Sequence, residues 1–207
     1  MSAQHFVVLV PVKPPAVGKS RLRGLDGDVR RSLAEAFAQD TVAACLAAES
    51  VAQVLVVTDD ARFSTALAAL GADTVPDGVS DDLNGTLRLA AAEARRRWPD
   101  LVPVALCADL PSLRAADLDL TLARIAQSHP RFVPDADGTG TTMYVAGYDE
   151  FDPRFGPGSR DAHLDAGADE LADVPPSVRR DVDDLDDLGK AVALGVGPRT
   201  AAVVPQE

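Results

Sequence analysis

Residues 6–22 read FVVLVPVKPPAVGKSRL and join a short apolar run to a loop rich in proline and basic side chains. The valine-rich run at residues 6–12 predicts a buried strand, because strands covered on both faces are continuously apolar. The GKS that follows matches the end of a phosphate-binding P-loop, GxxxxGK[ST]. Lys13, however, stands where the first glycine belongs, and the two prolines after it have no N–H to offer a phosphate. The sequence therefore predicts a different loop beyond the strand end, with three basic side chains: Lys13, Lys19 and Arg21.

Outward from this strand, apolar runs and helical patterns alternate along the first two-thirds of the chain. The predicted strands are residues 53–58, 72–75 and 101–107, and the predicted helices are residues 29–49, 61–70, 84–97 and 115–128. This alternation predicts an α/β fold with a mostly parallel sheet and helices on both faces. Ligands of such sheets bind beyond the carboxyl ends of the strands, where residues 13–21, 58–60 and 109 fall.

The last third of the chain has a different pattern. Strand-like runs at residues 130–148 surround the glycine-rich turn DADGTG, and the loop FGPGS at residues 155–159 precedes a predicted helix near 160–167. A final strand is predicted at 178–182, with a helix after it through residue 194. We expect one domain over residues 1–197 and a loosely held tail over residues 198–207.

Composition excludes several classes of protein. The net charge of −12 argues against a nonspecific nucleic-acid binder, which needs a basic face. No segment approaches the roughly 18 apolar residues of a membrane span. The N-terminus lacks a basic region before its apolar run, which favours a first strand over a signal peptide and predicts a cytoplasmic protein.

Cysteine and histidine spacing gives no metal or redox motif. The two cysteines, Cys45 and Cys107, are far apart and lack a CxxC partner, so we expect them to be small buried side chains. The three histidines, His5, His129 and His163, are scattered, and we expect each to be structural or on the surface.

Aspartates provide the strongest candidates for a metal site. Asp109 follows a buried apolar run directly, and Asp181 and Asp183 alternate with Val182 on a predicted strand, which would point both carboxylates to one face. Together the three would suit Mg²⁺, an ion held by carboxylates and substrate phosphates. The alternatives are a capping or loop aspartate at 109 and a solvated charge run after residue 180.

Two further segments suggest contacts with a small anion or a base. In one interpretation, the N–H groups of Gly156 and Ser159 and the serine hydroxyl face a phosphate or carboxylate. In the other, the loop is an ordinary turn and the serine caps the helix that follows. Thr141, after the glycine turn, would add a hydroxyl or be a plain strand residue. Asn84 would either cap its helix or bind a purine edge through its amide.

Six segments, in their order along the chain, resemble those of a known family: VPVKPPAVGKSRL, LNGTL, CADLP, DGTGTT, FGPGS and RDVDDLDDL. It is the phosphoenolpyruvate or 2-phospho-L-lactate guanylyltransferases of deazaflavin coenzyme (F-420) biosynthesis, and the resemblance extends from about Val7 to Leu188. It implies a single-domain, Rossmann-like fold of the glycosyltransferase-A type, and transfer of GMP from GTP to a small phosphorylated acid with release of pyrophosphate.

The resemblance also implies roles for individual residues. Matching positions would hold Mg²⁺ (Asp109, Asp181, Asp183), the phosphorylated acid (Thr141, Gly156, Ser159) and the nucleotide (Lys13, Lys19, Arg21). The family pattern has a glycine directly before the Leu-Asn pair, whereas this chain has Asp82 there. Whether Asn84 contacts the purine therefore stays open.

The expected chemistry needs no protein nucleophile. The acceptor is already a phosphate whose second pKa lies near ~6, so it is mostly dianionic at neutral pH. Phosphoenolpyruvate, 2-phospho-L-lactate and 3-phosphoglycerate are not distinguished by sequence, and hand-off of the product to a downstream deazaflavin phosphotransferase is possible. The alternatives are a molybdopterin or sugar-phosphate nucleotidyltransferase and a catalytically silent nucleotide-binding module.

Overall fold

The computed structural model describes residues 5–12, 22, 25–79, 82–125 and 129–204. Within these residues strands and helices alternate as the apolar patterns predict. The strands are β1 Phe6–Pro11, β2 Val51–Val57, β3 Asp73–Val75, β4 Val102–Leu106, β5 Arg131–Pro134, β6 Thr141–Val145 and β7 Asp169–Glu170. The helices are α1 Gly27–Ala47, α2 Ala61–Ala68, α3 Leu83–Arg97, α4 Ala115–Leu122, α5 Ser159–Asp165, α6 Pro176–Arg179, α7 Leu185–Leu194 and α8 Pro198–Val203, with a 3₁₀ turn at Tyr148–Glu150.

All the strands belong to one mixed sheet in the order β3-β2-β1-β4-β6-β5-β7. Strands β1 to β4 are mutually parallel, whereas β6 runs antiparallel to both β4 and β5. The pair Leu106 and Met143 lies in register, so the carboxyl end of β4 meets the amino end of β6. Strand β5 therefore points the same way as β4, and both end at one edge of the sheet. The predicted α/β architecture is confirmed.

Strand β1 lies at the centre of the sheet and is covered on both faces. Val8 and Val10 pack in the cluster beneath α1, and Val7 and Leu9 pack in the cluster beneath α3. All four side chains are fully buried. Each such side chain contributes roughly 1.5–3 kcal/mol on burial, which explains the unbroken apolar run. Among the described residues, no helix has the length and apolar character needed to cross a membrane.

The predicted strand at 178–182 is wrong. Residues Pro176–Arg179 form the helical turn α6, and the chain after it has no regular secondary structure and does not join the sheet. Proline at the first helical position favours this turn, because proline has a fixed φ and no N–H to satisfy. The predicted helix at 115–128 also ends earlier, at Leu122; residues 126–128 of that prediction lie outside the described residues.

The expectation of a loosely held tail is wrong for residues 198–204. Helix α8 packs on α1, where the buried carboxylate of Asp40 accepts the backbone N–H groups of Arg199 (3.3 Å) and Thr200 (2.7 Å). A carboxylate at these unpaired donors caps the first turn of α8 from a distant helix. The extent of the single domain, residues 1–197, stays a prediction.

Candidate active site

Aspartates from three parts of the chain meet at the carboxyl edge of the sheet. Asp109 follows β4, and Asp135 follows β5, which ends at the same edge. The segment after α6 joins them there, because the N–H of Val182 donates to the carbonyl oxygen of Asp109 (3.1 Å). This bond sets Asp181 and Asp183, the neighbours of Val182, beside Asp109. The three predicted carboxylates are therefore brought together, although not by the predicted strand.

The carboxylates of this group affect the ionisation of Asp181. Burial, and then the charges of Asp109, Asp183 and Asp135, raises the pKa of Asp181 to about 8. Like charges held in a poorly solvated place oppose ionisation in this way. In the part of the chain that the structure describes, no three or more His, Cys, Asp or Glu side chains stand in metal-ligand geometry. The carboxylates would therefore have to approach one another to share an ion.

The donor set suits a hard divalent cation. The charges that raise the pKa of Asp181 all belong to carboxylates, and oxygen ligands favour Mg²⁺ over the softer transition metals. Asp135 is a candidate that the sequence analysis missed, because it was treated as part of a turn. Its position directly after a buried strand is the same signal that identified Asp109.

A hydroxyl on α1 fixes the backbone on both sides of Asp109. The single hydroxyl hydrogen of the buried Thr41 is shared between the carbonyls of Phe37 (2.8 Å) and Ala108 (3.2 Å), and its oxygen accepts the N–H of Leu110 (3.1 Å). Asp109 is thus held between two residues that bond to one side chain. No pattern in the sequence indicates this role for Thr41.

The turn after β5 is closed by its own aspartate. The Asp135 carboxylate accepts the N–H groups of Thr139 (2.9 Å) and Gly140 (2.7 Å). A Cβ at Gly140 would overlap this carboxylate, so the position requires glycine. Arg179 donates to the Asp135 carbonyl (2.8 Å) and ties α6 to the same turn. These bonds fix the turn that connects Asp135 to the beginning of β6.

The predicted acid-binding residues lie at the beginning of β6 and in the loop before α5. Thr141 is the first residue of β6 and is buried. Gly156 has a φ of +132°, which favours glycine, and its carbonyl accepts the N–H of Ser159 (3.0 Å), the first residue of α5. The N–H of Arg160 donates to the Thr139 carbonyl (3.3 Å), which holds α5 against the glycine turn.

Asn84 neither caps its helix nor faces open space with its amide. The cap of α3 is Asp82, whose carboxylate accepts the N–H of Gly85 (2.9 Å), so the capping prediction for Asn84 is wrong. The amide of Asn84 instead donates to the carbonyl of Phe155 (2.9 Å) and accepts the Phe155 N–H (2.7 Å). This pairing favours a role in positioning the FGPGS loop over the predicted contact with a purine.

The basic residues predicted to contact the nucleotide, Lys13, Lys19 and Arg21, lie outside the described residues. The structure does describe Leu22, the next residue along the chain. Leu22 is fully buried and shares a cluster with Val182, the residue between the two aspartates. Leu22 itself is therefore anchored near the carboxylate group.

Comparison with known proteins gives consistent matches over nearly the whole chain. The profile of the family described as "Guanylyl transferase CofC like" matches residues 6–202. A phosphoenolpyruvate guanylyltransferase of Streptomyces coelicolor is 52% identical over 202 residues, covering 96% of this chain and 95% of the relative. The protein of the same name from Thermomonospora curvata is 49% identical over 198 residues, covering 95% and 87%.

A solved structure extends the likeness to the fold. A candidate nucleotide-diphospho-sugar transferase from Desulfovibrio desulfuricans G20 superposes with a TM-score of 0.70 and covers 96% of this chain and 93% of its own. At 18% sequence identity the likeness concerns the fold alone. It agrees with the Rossmann-like, glycosyltransferase-A type architecture predicted from the sequence.

Proposed function

Because the chain belongs to the guanylyl transferase CofC like family, we propose that it transfers GMP from GTP to phosphoenolpyruvate and releases pyrophosphate. One observation carries the proposal. The carboxylates around Asp181 lie at the same sheet edge as Thr141, because the end of β4 meets the start of β6. The names of the relatives support phosphoenolpyruvate over 2-phospho-L-lactate and 3-phosphoglycerate. The product would be a precursor of the F-420 deazaflavin coenzyme.

The acid is proposed to bind between β6 and the FGPGS loop. Thr141 would donate its hydroxyl to the acid, Gly156 would offer its backbone N–H, and Ser159 would offer its hydroxyl, since the Ser159 N–H is already paired with the Gly156 carbonyl. Such donors recognise carboxylate and phosphate oxygens without supplying a proton for the reaction. Neutral donors bind the acid less tightly than charged groups would, and this permits release of the product that contains the acid.

Asp109, Asp181 and Asp183 are proposed to hold Mg²⁺, which when bound would neutralise charge on the triphosphate and on the carboxylates themselves. Asp135 faces the same group and would reinforce its negative field. Lys13, Lys19 and Arg21 would contact the triphosphate as point charges and as a guanidinium fork. The protein's contribution is then to hold two anions close together against their repulsion.

The transfer step follows from these positions. An oxygen of the acid's phosphate attacks the α-phosphorus of GTP, and the bond from that phosphorus to the bridging oxygen of the β-phosphate breaks. Pyrophosphate leaves with the electron pair, and no proton has to be removed from the dianionic acceptor. Catalysis then rests on alignment and on electrostatic stabilisation of the charge on the transferring group.

The decisive experiment measures pyrophosphate release with GTP and Mg²⁺ in the presence of each of the three phosphorylated acids. The downstream transferase and its deazaflavin acceptor are included to trap the product, and ATP replaces GTP as the control. We expect pyrophosphate release only when phosphoenolpyruvate and GTP are both present, and no release with the other two acids or with ATP. Release with another acid would change the substrate, and GTP binding without release would favour a silent binder or another nucleotidyltransferase.

Two further parts of the proposal concern the setting of the reaction. A cytoplasmic location would give the enzyme access to both GTP and phosphoenolpyruvate. The product is a reactive mixed diphosphate, so direct hand-off to the deazaflavin phosphotransferase would protect it from hydrolysis. A pull-down of that transferase, with and without both substrates, tests the hand-off.

A further inference from the structure

One fully buried imidazole joins the two segments proposed to bind the acid. His163, on α5, accepts the backbone N–H of Arg154 at Nε2 (3.0 Å). Its Nδ1 lies 3.1 Å from the Oγ1 of Thr141, at the start of β6. A single side chain therefore contacts both the strand and the chain that leads into the FGPGS loop.

The hydrogen-bond network fixes which nitrogen has the proton. A backbone N–H can only donate, so the Nε2 that faces Arg154 must be unprotonated. In a neutral imidazole the proton is then on Nδ1, which donates to the hydroxyl oxygen of Thr141. The Thr141 hydroxyl, once it accepts this bond, turns its own hydrogen away from His163.

The surroundings keep the ring neutral and fixed in orientation. It stacks on Phe132 (ring centroids 5.2 Å apart) and on Tyr144 (4.9 Å), and Phe155 meets it edge-on (5.8 Å). Burial lowers the pKa of His163 to about 4, so the ring does not charge at neutral pH. Asn84 holds Phe155 in turn through two hydrogen bonds, so the ring is braced from the loop side as well.

We propose that His163 is a positioning residue that aims the hydroxyl hydrogen of Thr141 at the phosphorylated acid and fixes the FGPGS loop opposite it. This inference rests on the proposed function, because it takes Thr141 to be a contact of the acid. The role is recognition by a neutral donor and involves no proton transfer. A hydroxyl with a fixed hydrogen favours a carboxylate or phosphate oxygen over a donor group, so His163 would contribute to substrate selection.

The test separates the two nitrogens by substitution. His163→Phe keeps an aromatic ring in the stack and removes both hydrogen bonds. His163→Asn keeps an amide N–H near the position of Nδ1, and His163→Gln keeps an acceptor near the position of Nε2. His129→Gln, at an exposed histidine, is the matched control. For each variant, KM for phosphoenolpyruvate and KM for GTP are measured separately, together with Tm.

We expect His163→Phe to raise KM for phosphoenolpyruvate about tenfold, the effect of one buried hydrogen bond, and to leave KM for GTP within about twofold. His163→Asn should recover most of this loss and His163→Gln less, because only the asparagine retains a donor to Thr141. The control should match the wild type. If His163→Phe does not fold, the asparagine and glutamine variants decide the question by their order.

Three results would overturn the inference. The first is an unchanged KM for phosphoenolpyruvate in a folded His163→Phe protein. The second is a parallel rise of both KM values with a fall in Tm, which would indicate a purely structural histidine. The third is glutamine recovering activity better than asparagine. Wild-type protein that releases no pyrophosphate with any acid would instead refute the proposed function, and this inference with it.

Discussion

The side-chain amide of Asn84 pairs with the backbone of Phe155, 71 residues further along the chain, through hydrogen bonds of 2.9 and 2.7 Å. The pairing joins the first turn of α3 to the FGPGS loop. It occupies the amide's acceptor and one of its donors, which are the groups a purine edge would need. The loop proposed to bind the acid is therefore held by a residue first considered as a nucleotide contact.

Replacing Asn84 by alanine should raise KM for phosphoenolpyruvate by up to about thirtyfold, because two partly buried hydrogen bonds worth roughly 1 kcal/mol each are lost. KM for GTP should stay within about twofold. The measurement is steady-state pyrophosphate release with each substrate varied in turn. A rise in KM for GTP alone, or gain of activity with ATP, would show that Asn84 contacts the base instead.

Asp109→Asn should reduce turnover by at least about a hundredfold, as expected when an electrostatic group at a reacting phosphate is lost. Tm should not fall, since removing one charge relieves the repulsion that raises the pKa of Asp181. The exposed Asp100→Asn is the control and should match the wild type. An Asp109→Asn enzyme with normal turnover would exclude the proposed metal role.

Thr41→Val should lower both stability and kcat, because it removes the acceptor of the buried Leu110 N–H and the hydroxyl contact to the partly buried Ala108 carbonyl. Each unsatisfied buried group costs about 1–3 kcal/mol, and Asp109 between them loses its fixed position. Thr41→Ser retains the hydroxyl and should keep kcat near the wild-type value. Urea unfolding and kcat are compared for the pair, and equal kcat in both would remove Thr41 from the positioning of Asp109.

His163 should make stability depend on pH. Desolvation, and to a smaller extent the charge of Arg154, lowers its pKa to about 4, against the opposing effects of the Ser159 backbone and of Asp152. Between that value and the ordinary ~6.5, the unfolded chain binds a proton that the folded chain does not, so stability falls as pH falls. The loss at pH 4.5 should be about 2–3 kcal/mol relative to neutral pH.

His163→Phe should lack this component. Comparing the wild type and the variant by urea unfolding at pH 7.5 and pH 4.5 cancels the contributions of the carboxylates that both proteins share. An identical decrease in both proteins would mean that the imidazole is charged, or accessible to solvent, in the folded state.

Local sequence patterns determined most of the secondary structure and the family. The valine-rich run at residues 6–12 predicted β1 because a strand covered on both faces must be apolar on both. The resemblance to the guanylyltransferases is confirmed by the family profile over residues 6–202. The short alternation at 178–182 misled, because a few apolar residues fit a helical turn as well as a strand.

The sequence by itself thus determined the order of the elements over the first two-thirds of the chain, the fold class and the edge of the sheet where Asp109 lies, since these follow from repeat patterns over a few neighbouring residues. Only the tertiary structure shows which side chains hold the site residues in place. Thr41 bonds to Leu110 across 69 residues, Asn84 to Phe155 across 71, and His163 to Thr141 across 22. Such bonds depend on how helices and strands pack against one another, and the spacing of residues along the sequence does not predict this packing.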